Sequence, residues 1–234
     1  MSPENFPCTF SASMMCADQL RLQSEIADLE KAGVDRFHLD VMDGAYVANL
    51  ALGVATCEAI RSASSLPIDL HLMVRNPLEI THVLKKVRPD RILIHPDSLQ
   101  SSWQLSEIAR VSGSRICIVI ETEKDLRELS HPECAGAMIM TTETGWTGRG
   151  FIKSRIRLVN EITQRFAGSL EIGVDGGIGV PQIHALAQLG VTEFVLGTSI
   201  LFGHGSYAQT LRFLRRVEST ARSQRMYESI KELM

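Results

Sequence analysis

The sequence predicts an α/β fold of the closed TIM (β/α)8 barrel type, on three observations. Short β-rich runs alternate with longer helical patterns along the whole chain. Several of those runs are nearly all apolar, Ile-Leu-Ile at 92–94, Ile-Cys-Ile-Val-Ile at 116–120 and Met-Ile-Met at 138–140, as suits parallel strands covered on both faces. Eight such units fill 234 residues without a linker, low-complexity tract or charge block, a length at which α/β barrels form one domain. Residues 1–234 therefore read as a single barrel domain. An open doubly wound sheet is the alternative, because periodicity does not report closure.

In chain order, the first strand is expected at Cys8–Ser13 and is followed by the helical pattern Leu20–Ala32, which closes on Gly33. A second strand follows at Asp35–Val41 and a third at Ile68–Met73. Pro77 then opens a helix at a first-turn position, where the missing N–H costs nothing. Strands four to six are expected at Arg91–His95, Arg115–Ile120 and Ala137–Thr141, with a helix at Ile152–Phe166. The seventh strand, Leu170–Val174, leads to a helix with Pro181 in its first turn and Gly190 at its end, and the eighth is Glu193–Leu196. In the tail, Tyr207–Met234, Leu211, Leu214 and Val217 form a stripe at helical spacing that packs on the barrel. The last dozen residues are more polar, and either fray or contact a second subunit of a homo-oligomer.

Composition excludes several classes. With 44% hydrophobic and 22% charged residues the chain is neither disordered nor fibrous. A net charge of −3 and a pI near 6.2 point to no nucleic-acid or membrane-surface partner. No apolar run approaches the roughly 18 residues of a membrane span, and Met1–Asn5 lacks the features of a signal peptide. The five cysteines are odd in number and form no CxxC pair. They read as reduced thiols of a cytoplasmic protein.

In a barrel the C-terminal strand ends form the active face. Those ends carry Ser13, His38 with Asp40, His71, His95, Thr141, Asp175 and Gly197-Thr198, so seven of the eight strands deliver a polar or glycine group to one rim. On the second strand Phe37, Leu39 and Val41 face one way, and His38, Asp40 and Met42 the other. His38, Asp40, His71 and Asp175 can converge on one ion. Imidazole with carboxylate suits Zn²⁺, Fe²⁺, Mn²⁺ or Co²⁺, and without a nearby cysteine a structural zinc is disfavoured. The competing reading is four separately hydrogen-bonded core residues, which would require burying two carboxylates.

"HLDVMDGAYVANLALG" (38–53) resembles the signature H-x-D-x-M-D-G-x-F-V-P-N-x-x-x-G of the ribulose-phosphate 3-epimerases. "SMMCAD" (13–18), "DLHLMV" (69–74), "VDGGI" (174–178) and "LGTSILF" (196–202) match in family order. The resemblance implies a barrel that inverts the carbon next to the keto group of a phosphorylated ketose. It implies His38, Asp40, His71 and Asp175 as ligands of one divalent transition metal, and Asp40 and Asp175 as the acid–base pair working on opposite faces of C3. Met42, Met73 and Met140 would line the pocket or serve as core, and Ser13 would bind substrate or position Asp40. His95 in "HPD" resembles the family's H-x-E and reads as a pocket-wall histidine outside the metal set, and His204 as a solvated or capping residue.

The family's loop after the sixth strand reads roughly M-T-V-x-P-G-F-G-G-Q-x-F. Here residues 140–151 keep Gly145, Gly148 and Phe151, but place Thr144 at the proline, Trp146 at the aromatic, Thr147 at a glycine and Arg149 at the glutamine. Ala48 replaces the proline of the first motif. Backbone N–H groups around Gly176, Gly177, Gly197 and Thr198 suit a phosphate, and Arg149 is either a clamp on the same anion or an exposed loop cation. The altered loop leaves a pentulose 5-phosphate, a hexulose 6-phosphate such as allulose 6-phosphate, and an acid sugar as substrates. A catalytically silent metabolite-binding barrel, and an isomerase returning the proton to another carbon, are the alternative functions.

Overall fold

The computed structural model describes residues 8–166 and 168–233; for residues 84 and 225–233 it describes the backbone element only. Eight parallel strands close a barrel in sequence order: β1 (Thr9–Ser13), β2 (Arg36–Met42), β3 (Ile68–Met73), β4 (Arg91–Ile94), β5 (Arg115–Ile120), β6 (Cys134–Met140), β7 (Glu171–Asp175) and β8 (Glu193–Leu196). The closed sheet settles the choice against the open one. Outside it lie α1 (Leu22–Ala32), α2 (Val54–Ala63), α3 (Pro77–Val83), α4 (Trp103–Ser112), α5 (Ile156–Phe166), α6 (Val180–Leu189) and α7 (Tyr207–Leu233).

Local chemistry explains the boundaries. Gly33 and Gly190 end α1 and α6 with φ of 88° and 103°, a left-handed conformation that costs glycine no Cβ clash. Pro77 and Pro181 sit in first turns, as expected. The helix read from Leu20 starts instead with a 3-10 turn, Gln19–Arg21, capped by the Asp18 carboxylate accepting from the Leu20 N–H at 3.0 Å. The helix read from Ile152 likewise opens with a 3-10 turn, Lys153–Arg155.

One crossover departs from the expected pattern. Between β5 and β6 the chain makes a 3-10 segment, Glu123–Ser130, and no α-helix. The tighter helix rises about 2.0 Å per residue against about 1.5 Å, so a short connection covers more of the barrel wall. Thr122 and Asp125 close its start as a capping box, and Pro132 follows its end.

Two cores result. The larger lies between sheet and helices, where Phe37, Leu39 and Val41 of β2 meet Ile26, Leu29 and Ile60. Leu211 and Leu214 of α7 are buried in it, with Val217 packed against it. The second fills the barrel axis with Leu93, Cys117, Val119, Met138, Met140 and Val195. Beneath it, at the N-terminal strand ends, Arg91 is buried among carboxylates: Nε reaches Asp69 Oδ1 at 2.9 Å and Nη1 reaches Glu171 Oε2 at 2.7 Å, while Nη2 pairs with Glu193. The Met1–Asn5 reading and the side chains of the polar tail end lie outside the described residues.

Candidate active site

The pleat and the register build the site. Alternation puts His38 and Asp40 on the inner face of β2, and pairing sets Asp40 beside His71 of β3. Asp175 ends β7 across the axis, paired with Met140 and Val195. His38 Nε2 and His71 Nδ1 lie 3.1 Å apart. Asp40 Oδ1 is 3.3 Å from the first and 3.2 Å from the second, and Asp175 Oδ2 is 3.5 and 3.7 Å from them. All four donor atoms fall within 4.8 Å of one another. Those separations bracket the roughly 3.3 Å edge of a tetrahedron with metal–ligand bonds of about 2.0 Å. Two imidazole lone pairs and two carboxylates facing one point form the donor set of a divalent transition metal, so these residues fit such an ion.

Burial and mutual charge pull the two carboxylates apart in acidity. Burial pushes the Asp40 carboxyl up, but the charge and hydrogen bonding of His38 and His71 outweigh it and hold the group well below the usual carboxylate range. Burial, aided by the charge of Asp40 and opposed by His38, pushes Asp175 up to about 7. Desolvation depresses His38 as well, yet Asp40 dominates and raises it to about 9, whereas burial takes His71 down to about 4. Two acids whose environments separate their proton affinities form the pattern of an acid–base couple. Ser13 Oγ donates to Asp40 Oδ2 at 2.9 Å.

A cleft of about 550 Å³, counted out to its open mouth, stands over the centre. Ser13, Met42, Met73 and Met140 line its floor, and Met140 also belongs to the axial core. The loop after β6 brings Gly145, Gly148 and Arg149 to its lining, which Gly176, Gly177, Gly197 and Thr198 complete. Gly176 has φ of 104°, and a Cβ there would stand 2.1 Å from Thr142 Cγ2; at Gly177 it would stand 2.5 Å from the Phe151 backbone nitrogen. Both glycines thus let the loop settle against the end of β7. Arg149 is half exposed, its Nε 3.7 Å from Glu143 Oε2 and its guanidinium 5.9 Å from the Trp146 ring centroid.

Some rim residues stand elsewhere than expected. Thr141 donates to the Asp175 and Gly176 carbonyls and pins β7, while its neighbour Thr142 lines the cleft. His95 is buried behind His71, outside the wall of the cleft. His204 is exposed as expected, with Nε2 2.7 Å from the Thr198 carbonyl. No site role was expected from sequence for Glu121, Glu143 or Cys16, and Trp146 was noted only as the loop's aromatic. Glu121 was legible in principle: it follows the apolar β5 directly, on the one strand end that had supplied no polar group.

Eight parallel strands with an imidazole–carboxylate centre at the C-terminal rim define a barrel whose mouth can hold a divalent ion beside two carboxylates of unequal acidity. The chain belongs to the ribulose-phosphate 3-epimerase family, whose model matches residues 9–201. Ribulose-phosphate 3-epimerase 1 of Cupriavidus necator is 31% identical, covering 87% of this chain and 89% of that protein. The ribulose-phosphate 3-epimerase of Bacillus subtilis is 27% identical over 80% and 89% of the two chains, and the cytoplasmic isoform from Oryza sativa 28% over 87% and 91%. A solved thiamine phosphate pyrophosphorylase from Pyrococcus furiosus shares the fold alone, with a TM-score of 0.62 over 92% of this chain and 96% of that one at 7% identity.

Proposed function

We propose that this chain is a metal-dependent isomerase that epimerises C3 of a ketose phosphate, ribulose 5-phosphate or a related pentulose or hexulose phosphate, by proton transfer between Asp40 and Asp175. The observation that carries the reading is the joint placement of those two carboxylates on opposite sides of the barrel axis, both within 4 Å of His38 Nε2 and one of them pushed up to about 7.

His38, Asp40, His71 and Asp175 would hold the ion, which is Zn²⁺, Fe²⁺, Mn²⁺ or Co²⁺ on the mixed nitrogen and oxygen donors. When bound, a divalent ion stabilises negative charge developing on neighbouring oxygens. The remaining work falls to the chain. Asp40, kept ionised by its neighbours and oriented by Ser13, takes the proton from one face of C3. Asp175, on the other side of the barrel axis, delivers a proton to the other face, and the roles exchange in reverse. Met42, Met73 and Met140 give the planar intermediate an apolar, polarisable bed that excludes water. The glycine-bearing ends of β7 and β8 and Arg149 receive the phosphate.

One domain of residues 1–234 and a cytoplasmic setting complete the proposal. The five free cysteines and the cytoplasmic isoform among the rice relatives support that setting. Among the described residues no helix is long and apolar enough to cross a membrane. The silent-barrel alternative would tolerate the loss of an aspartate, and both are present. The test is C3 hydrogen exchange in D₂O across a panel of pentulose and hexulose phosphates, with metal-stripped and reconstituted protein. Exchange confined to C3 and dependent on added Mn²⁺, Fe²⁺, Co²⁺ or Zn²⁺ is the expected result. Exchange at C1 alone would assign the isomerase alternative, and full turnover without metal would refute the role of the centre.

A further inference from the structure

His71 uses both of its ring nitrogens. Nδ1 points into the centre; Nε2 lies 2.9 Å from His95 Nε2, with the two rings 13° from parallel. Behind them His95 Nδ1 lies 3.2 Å from Glu121 Oε1. Glu121 is itself held from two sides: Thr144 Oγ1 donates to Oε1 at 2.8 Å, and Arg155 Nη2 lies 3.9 Å from Oε2. His71 and His95 are buried, and the Glu121 side chain is 30% exposed. His38 has no such support, since its Nδ1 finds no hydrogen-bond partner among the described residues.

Proton placement along this chain has one solution while His95 is neutral. A carboxylate accepts only, so the proton of His95 sits on Nδ1 and its Nε2 is an acceptor. His71 must then carry its proton on Nε2, which leaves the Nδ1 lone pair aimed at the centre. We propose that Glu121 and His95 are positioning residues, a hydrogen-bonded relay that fixes the His71 tautomer and orientation and so presets Nδ1 as a metal ligand. An imidazole whose second nitrogen donates to an oriented acceptor is both better aligned and more basic toward a cation. Thr144 anchors the relay to the loop over the cleft, at the position where the family pattern quoted above has proline, a residue with no hydroxyl to donate. The relay rests on the reading of the centre as a metal site.

The test is metal affinity, measured by chelator competition with Zn²⁺ and with Co²⁺ on stripped protein. Glu121→Gln and His95→Leu should each weaken binding about 10- to 100-fold. The double variant should bind no more weakly than His95→Leu, because both changes cut one chain. His95→Gln offers one acceptor to His71 and one donor to Glu121, so it should stay within about threefold of the unaltered protein. Cobalt-loaded Glu121→Gln should show a shifted visible absorption. Equal affinities throughout, losses that add in the double variant, or His95→Gln binding as weakly as His95→Leu would each overturn the relay. Glu121→Gln keeps the test open if His95→Leu does not fold, because Glu121 is partly solvated. If the unaltered protein takes up no ion, the centre is wrong and the relay falls with it; if it binds and Glu121→Gln binds equally well, only the relay is wrong.

Discussion

If Asp40 and Asp175 are the two acid–base groups proposed above, substitution of either one should show it. Asn is close in size and cannot exchange a proton, so each of Asp40→Asn and Asp175→Asn should lower turnover by at least the roughly 10²–10⁴-fold of an acid–base group, with more lost through the centre they share. Circular dichroism should show a folded barrel in both. Full kcat in either would refute the two-carboxylate mechanism. Arg149 poses a narrower question, since it stands at the mouth with Glu143 and Trp146 as neighbours. If it meets the phosphate, Arg149→Gln should raise KM with kcat nearly unchanged, because remote binding is shared by ground and transition states. A charge-assisted contact of about 1.5–3 kcal/mol implies a loss of roughly tenfold or more in kcat/KM. Steady-state kinetics that do not change would assign it to the loop alone.

At the scale of elements, the loop from Met140 to Phe151 is held by its neighbours. Asn49 Nδ2 donates to the Gly145 carbonyl at 2.8 Å, Gly145 packs so closely on Val47 that a Cβ would stand 2.8 Å from it, and Gly177 lies under the Phe151 backbone. Gly177→Ala should therefore displace the loop: a left-handed φ of 66° and a backbone clash together cost on the order of 1–3 kcal/mol, read as a lower melting temperature and a raised KM. An unchanged KM would show that the loop's position does not matter to binding. The sequence legibly carried most of the elements, because apolar strands, glycine caps and first-turn prolines are local signals. The convergence of His38, Asp40, His71 and Asp175 was legible too, since a period of two puts His38 and Asp40 on one face. The 3-10 crossover was not, as its composition reads as helical and only the distance it must span selects the tighter winding. Nor was the partnership of His71, His95 and Glu121, which joins three strand ends that no spacing rule connects.

Across the whole molecule, the ion cluster under the axial core was the least legible feature. Arg91 and Glu193 are 102 residues apart, and each looks like an ordinary charged strand start. Buried ions seldom add net stability, but removing one partner strands the others. Arg91→Met should cost about 3–5 kcal/mol in denaturant unfolding, because Asp69, Glu171 and Glu193 would keep only Arg36 and Arg115 as partners. Acid should act through the same groups. Burial raises Asp69, but Arg91 and Arg36 outweigh it and hold the group below the usual range, and Glu171 is likewise lowered. A depressed carboxylate contributes stability that is complete above its unfolded value, near 4, and is lost as pH falls through the folded one. Glu193, raised by burial against the pull of Arg91, works in the opposite sense and offsets part of that loss. The melting temperature should thus fall as pH drops below about 4, and less steeply in Arg91→Met. Equal acid sensitivity of the two proteins would remove the cluster from the explanation.

The axial core and the arginine beneath it also make the barrel a cul-de-sac. With Leu93, Cys117, Val119, Met138 and Val195 filling the bore and Arg91 sealing its far end, the cleft has one doorway among the described residues, and the loop from Met140 to Phe151 lines it. Incoming sugar and outgoing epimer must use that passage in turn, so each is an obligatory competitor of the other, and traffic through the doorway sets a ceiling on the rate that no improvement in proton transfer can lift.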